Sequence, residues 1–325
     1  MTVFLGVDGG GTKTAFCLLD ERGDVAGAVT AGGSYHWALG VDGAAQVIRD
    51  GVRDVCAVAG VSPVDIAYAF FGIPGHGESR DLVPLLDAIP AVALGHDRYR
   101  CDNDMVCAWA GSLGALDGIA VVGGTGSMAY GQHHGLRARA GGWGEVFGDE
   151  GSAHWIGTRG LSAFSRMSDG RLPRGPLHAL LRERLDLTED IDLVDVVLTR
   201  WAGGRAEVAA VAPLVTEAAA RGDAVAAGIL RDAGVQLAEV AAAVRGRLGY
   251  GPGVTVPVSC SGGVFSAGPV LAAFGRALVA LDPGYDLRAP LHPPAVGAAL
   301  YAARLAGTPL APGAAGQLPK AGAVL

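Results

Sequence analysis

The run FLGVDGGGTKTAFCLLD carries Asp8, the consecutive glycines Gly9, Gly10 and Gly11, and then Thr12, Lys13 and Thr14. Glycines in series let a backbone take positive φ and approach a ligand closely, and successive free N–H groups in such a turn form a concave anion site. Phosphate is the natural guest. Lys13 adds a positive charge, the threonines add hydroxyl donors, and Asp8 stands where a divalent ion attached to that phosphate could be held. A plain tight turn is the alternative, but it needs neither three glycines nor the Thr-Lys that follows.

A second device of this kind lies in GIAVVGGTGSMAYGQ, where an apolar run ends in Gly123, Gly124, Thr125, Gly126 and Ser127. A third glycine turn, Gly262 and Gly263, follows VPVSC and could let a flat base lie against backbone. Two such turns, in corresponding positions of two domains, could close on one polyphosphate from opposite sides. The spacing fits neither the Walker loop nor the dinucleotide fingerprint, both of which lead from a strand into a helix. The turn signal ERGD after AFCLLD instead predicts that Gly9 to Gly11 join two antiparallel strands.

The elements needed to position these residues are strands and helices in alternation. TVFLGVD, AFCLLD, VAGAVTAG and IAYAFFGIPG read as strands, whereas GAAQVIRDGVRDVCAVAG and RDLVPLLDAI have helical spacing. Residues 176–248 predict a mostly helical segment. Then VTVPVSCSGGVFSAGPVLAAFGRAL reads as strand, turn and helix, and PPAVGAALYAARLAG as a final helix. The expectation is an α/β protein with an N-terminal domain over 1–116, completed by a helix at 292–307, and a larger C-terminal domain over 117–291. Residues 308–325, rich in Pro, Gly and Ala, read as a loose tail.

Composition excludes several classes. The balance of 25 basic against 32 acidic residues, net −7, with no long basic cluster, makes nucleic acid and anionic membranes poor partners. Five widely spaced cysteines without a Cys-x-x-Cys pair indicate neither a disulfide framework nor a zinc knuckle, so a reducing cytoplasm is the expected setting. No apolar stretch of about 18 residues is present to span a bilayer, and MTVFLGVD has no basic leader.

The three glycine turns, in that order, resemble the phosphate-1, phosphate-2 and adenosine motifs of the sugar kinase, Hsp70 and actin superfamily. GGWGEVFGDEGSAHWIG from Gly141 to Gly157 is similar to the signature of the N-acetylglucosamine kinases in the BadF/BadG/BcrA/BcrD ATPase family. The resemblance implies a two-domain actin-like ATPase fold, related to ribonuclease H, with an interdomain cleft. It also implies ATP and Mg²⁺ as cofactors, an amino sugar as substrate, and a homodimer, as is common among related kinases.

By the same resemblance Asp104 receives the proton of the attacking hydroxyl, and Asp8 holds the metal. Gly9, Gly10, Gly11, Thr12, Lys13, Gly124, Thr125, Gly126, Ser127, Gly262 and Gly263 contact the nucleotide. Tyr35, His36, Trp37, Gly142, Trp143, Gly144 and Asp149 form the sugar side. Glu150 is expected to cap the next helix. Tyr35 stands where that kinase group has Asn, and Pro74 and His76 replace small polar residues. Both departures bear on the acceptor and leave N-acetylglucosamine, glucosamine, another amino sugar or a cyclitol open. Readings of other kinds are an iron–sulfur activator of a dehydratase, in which Cys101 and Cys107 would hold a cluster, and a sugar or ATP sensor without turnover.

Overall fold

The computed structural model describes residues 2–251 and 253–310, so most of the expected tail lies outside the described residues. The chain divides into two compact units, 1–118 together with 289–325, and 119–288.

In the first unit, strands β1 (Val3–Asp8), β2 (Lys13–Asp20) and β3 (Val25–Gly32) are followed by helix α1 (His36–Ala59). Then come β4 (Ile66–Ile73), α2 (Val83–Leu94), β5 (Tyr99–Asn103) and α3 (Met105–Leu113). The sheet order is β3-β2-β1-β4-β5. β1 pairs antiparallel with β2 and parallel with β4, and β4 is parallel with β5. The alternation of Val, Leu and Phe along these strands buries both faces, one against α1 and α2, the other against helices from distant parts of the chain.

The second unit begins with β6 (Gly118–Gly123), β7 (Ser127–His133) and β8 (Leu136–Gly141). A helical stretch follows: α4 (Ala153–Ser168), α5 (Pro176–Arg184), α6 (Leu193–Asp195), α7 (Arg205–Ala209), α8 (Ala212–Ala220) and α9 (Ala224–Arg247). The unit ends with β9 (Val256–Ser261), α10 (Gly268–Leu281) and β10 (Tyr285–Arg288), in the sheet order β10-β9-β6-β7-β8. The segment expected to be helical is so, apart from short turns between helices. A long α9 with alanine at its buried positions lets other helices approach closely, and α10 packs directly on it.

Helix α11 (Pro294–Leu305) returns to the first unit and covers β1, β2 and β4. Small residues make this contact possible. A methyl group on Gly6 would lie 2.2 Å from the Ala295 carbonyl oxygen, and one on Gly297 would lie 1.9 Å from the Gly111 nitrogen of α3. Backbone therefore meets backbone on both sides of α11, leaving no space for a side chain.

Candidate active site

The first half of the site lies where the parallel strands of the first unit end. Asp8 closes β1, opposite Gly72 of β4, which in turn lies opposite Asp102 of β5. Ligands of open α/β sheets bind at the carboxyl ends of their strands, and Asp8 and Asp104 are both there. The turn Gly9–Thr12 joins antiparallel strands, as the sequence predicts.

The glycines have a different role from the expected one. None of Gly9, Gly10 and Gly11 has positive φ. What excludes a side chain is space: a methyl on Gly9 would lie 2.7 Å from both the Gly72 carbonyl oxygen and Pro74 Cδ, and one on Gly33 would lie 2.1 Å from the Gly11 oxygen. The Gly9 N–H is also committed, donating to the Gly72 carbonyl at 2.9 Å. Gly11, Thr12 and Lys13 remain exposed for a ligand, while Thr14 is buried and donates to Ser34 Oγ at 2.9 Å.

Burial pushes the Asp8 carboxyl up to about 8, with the charge of Asp104 adding to the effect and Lys13 opposing it. Asp104 is raised to about 6, first by burial; the Met105 backbone N–H counteracts this and Glu78 adds to it. Two carboxyls in one field with a single opposing cation are short of positive charge. The Asp8 side chain also has no hydrogen-bond partner among the described residues, so the donor set fits a divalent cation. Asp102 is engaged elsewhere: it accepts from the Asn103 N–H at 2.9 Å and lies 3.9 Å from Arg100. Asp104 also accepts from a backbone N–H, that of Met105, but among the described residues it has no ion-pair partner.

Cys107 is buried, donates its S–H to the Val7 carbonyl at 3.3 Å, and is held far above the ordinary thiol value by burial. That thiol serves the core beneath Asp8 and is unsuited to ligating a cluster as thiolate.

Tyr35, His36 and Trp37 open α1, next to a kink at Gly40. Trp37 is 57% exposed, while His36 is 4% exposed with neither ring nitrogen satisfied among the described residues. A buried imidazole lacking both partners fits a position completed by water or a ligand hydroxyl. His76 is drawn out of the expected sugar wall, with Nε2 held 2.9 Å from Asp87 of α2.

The second half is in the other unit. Gly124–Gly126 forms the turn between β6 and β7, and its carbonyls accept from the start of α4: Ala153 N–H to Gly124 at 2.8 Å and His154 N–H to Thr125 at 3.3 Å. Helix α4 is N-capped by Ser152, whose Oγ accepts from the Trp155 N–H at 3.1 Å, so the expected cap at Glu150 is corrected. Glu150 contributes its carbonyl to Ser127 Oγ–H at 2.7 Å, which commits the Ser127 hydroxyl to structure and not to a phosphate.

Asp149, expected on the sugar side, is 2% exposed, has φ +55, and accepts from Arg205 Nη2 at 2.6 Å. Arg205 also lies 3.3 Å from Glu145. The turn rests directly on this ion pair, since a methyl on Gly126 would lie 2.4 Å from Arg205 Nη2 and 2.6 Å from Asp149 Oδ2. Trp143 is 65% exposed and so is not part of the core. Gly142 and Gly144 beside it have φ +68 and +84, and a methyl on Gly142 would strike Met128 Cε at 2.2 Å.

Gly124 and Thr125 share a cavity of about 610 Å³ with Gly263, Val264, Ser266 and Ala267. Ala153, Ile156 and alanines of α7 and α8 supply a flat apolar wall, of the kind a nucleoside requires. Gly262, with φ +97, brings this third turn within 2.4 Å of the Gly123 oxygen for any methyl it carried.

The structure therefore gathers Asp8, Thr12, Lys13 and Asp104 in one unit, and Gly124, Thr125, Gly126 and Gly263 in the other. Arg205 and Glu78 are the residues that sequence reasoning missed. Arg205 sits in WAGGRAEV, with no motif to mark it, and Glu78 closes the glycine-rich FGIPGHGE, where only the Pro and His substitutions had drawn notice.

Two glycine-turn sheets with these carboxylates define an actin-like ATPase of the sugar-kinase kind. Residues 5–302 match the BadF/BadG/BcrA/BcrD ATPase family, and the chain belongs to that family. It is 27% identical over 310 residues to the N-acetyl-D-glucosamine kinase of Dictyostelium discoideum, covering 92% of this chain and 97% of that protein. It is 29% identical over 239 residues to the N-acetylmuramic acid/N-acetylglucosamine kinase of Clostridium acetobutylicum, 73% of this chain and 77% of the relative. A solved structure from Chromobacterium violaceum, provisionally assigned as an N-acetylglucosamine kinase, superposes with a TM-score of 0.71 at 27% identity, over 92% of this chain and 98% of the other. A ROK family glucokinase from Streptomyces griseus, solved with glucose and AMPPNP, shares the fold at 18% identity and TM-score 0.54, over 93% and 99% of the two chains.

Proposed function

We propose that the protein is an ATP-dependent kinase that transfers the γ-phosphoryl group to a hydroxyl of an amino sugar, N-acetylglucosamine or glucosamine, giving the 6-phosphate. The observation that carries this reading is the pair Asp8 and Asp104, two partly buried carboxyls of raised proton affinity beside a glycine turn. The names of the curated relatives support the acceptor class.

In this reading the adenosine lies in the Gly263 cavity beside the Gly124–Gly126 turn, and the exposed Thr12 and Lys13 of the first unit offer phosphate contacts of their own. A magnesium ion held through Asp8 would offset the phosphate charge and compensate the carboxyl pair. Asp104 accepts the proton of the sugar hydroxyl as that oxygen bonds to the γ-phosphorus. The bond from phosphorus to the bridging oxygen breaks, and ADP departs with the electron pair. Raised to about 6, Asp104 is a better base than an ordinary carboxylate and is still ionised at neutral pH. The exposed indoles of Trp37 and Trp143 offer flat faces for the C–H side of a pyranose.

Asp104→Asn tests the assignment. Sugar-dependent ADP release should fall by about 10²- to 10⁴-fold with ATP-analogue binding retained. The parent's kcat/KM should rise with pH through the region near 6, as Asp104 of the free enzyme loses its proton. Full activity in the variant removes Asp104 from the mechanism.

A further inference from the structure

The loop after β4 holds a group of side chains that the phosphoryl-transfer scheme leaves unused. Gly75, with φ +75, is their common neighbour: a methyl placed on it would lie 2.9 Å from His36 Cε1, 3.1 Å from Tyr35 Cε2 and 3.2 Å from Glu78 Oε2. The Glu78 side chain is exposed and has no hydrogen-bond or ion-pair partner among the described residues. His36 is 96% buried by the complement of its exposure, 4%, and both of its ring nitrogens are unsatisfied. An exposed carboxylate and an imidazole with no partner thus both lie beside Gly75, in a space too tight for any side chain there. Glu78 is also close enough to Asp104 to act on its charge.

A neutral acetamide gives this arrangement little. Its N–H can satisfy one acceptor, but its methyl and carbonyl bring an apolar group and a second acceptor to a carboxylate that needs positive charge. A free ammonium offers three donors and a charge, which suit a carboxylate, and an unpartnered imidazole nitrogen nearby can hydrogen-bond an adjacent hydroxyl.

Resting on the kinase reading, we propose that Glu78, with His36 beside it, selects an acceptor bearing a free amino group, a glucosamine-like sugar, over its N-acetylated counterpart. Tyr35 agrees with this choice. Where the kinase group that the sequence resembles has a short amide, the longer phenol here narrows the space beside Gly75, next to Glu78 and His36.

The test compares ADP release with glucosamine, N-acetylglucosamine and glucose as acceptors, in the full chain and in Glu78→Gln. An exposed, isosteric change of this kind leaves the fold intact. In the parent, kcat/KM for glucosamine should exceed that for N-acetylglucosamine by about tenfold or more, as expected for one charge-assisted contact at a partly solvated site. In Glu78→Gln the glucosamine to glucose ratio should fall toward one, with the change in KM more than in kcat. A parent that prefers N-acetylglucosamine, or a ratio unmoved by the substitution, overturns the selection while leaving the kinase reading in place. Absence of turnover with all three sugars removes the kinase reading, and this inference with it.

Discussion

Replacing Asp8 by Asn should make the metal-free protein more stable near neutral pH, even though it removes a residue on which the proposed activity depends. A folded state that raises a carboxyl holds its proton more tightly than the unfolded chain does. As pH rises from the ordinary 3.8 toward about 8, the unfolded chain ionises first, and stability is lost across that window. At about 1.4 kcal/mol per tenfold in proton affinity, the separation sets a ceiling of about 5–6 kcal/mol. Partial solvent contact at Asp8 and its coupling to Asp104 reduce the effect to about 2–3 kcal/mol. Asn is isosteric and carries no charge, so it removes the loss at the cost of little packing.

Thermal unfolding monitored by tryptophan fluorescence, in EDTA, is the assay. At pH 8 the Asp8→Asn protein should melt several degrees above the parent, about 2 °C or more for each kcal/mol, and the gap should close at about pH 4. Magnesium with an ATP analogue should restore the parent and have little effect on the variant. If the two proteins melt together at pH 8, or the gap has the opposite sign, Asp8 is not under the electrostatic stress described above and the argument for a cation beside it fails.

Two further outcomes follow from packing. Arg205→Met leaves the 2% exposed Asp149 without its partner and should destabilise the protein by about 3 kcal/mol, while weakening ATP-analogue binding through the Gly126 turn; calorimetry and nucleotide titration check both. Gly297→Ala places a methyl 1.9 Å from the Gly111 nitrogen, a contact that only movement of α11 relieves, so the variant should be recovered largely insoluble or with a markedly lower melting temperature.

Much of this was legible because period and punctuation agree. The hairpin around Gly9–Thr12, the helical segment beginning at Pro176 and the returning helix near 294 all follow from apolar spacing and turn residues. At Gly9 the demand is for space and not for left-handed backbone, while a methyl on Gly11 would meet nothing. Sequence spacing cannot separate those causes, since the obstructing atoms belong to Gly72 and Pro74, far along the chain. Arg205 escaped for the same reason: its partner Asp149 lies 56 positions away, and no local pattern marks an ion pair made across loops. Ser127 shows the opposite error, a motif hydroxyl expected at a phosphate that the fold commits to a carbonyl.

The first unit is completed by residues from both ends of the chain, with the second unit lying between them in sequence. During synthesis the β1 and β4 faces that α11 covers are made long before that helix, and they wait with their apolar side chains uncovered until it arrives. A chain interrupted before α11 would therefore leave the strand that ends in Asp8 open on one face, whatever the state of 119–288.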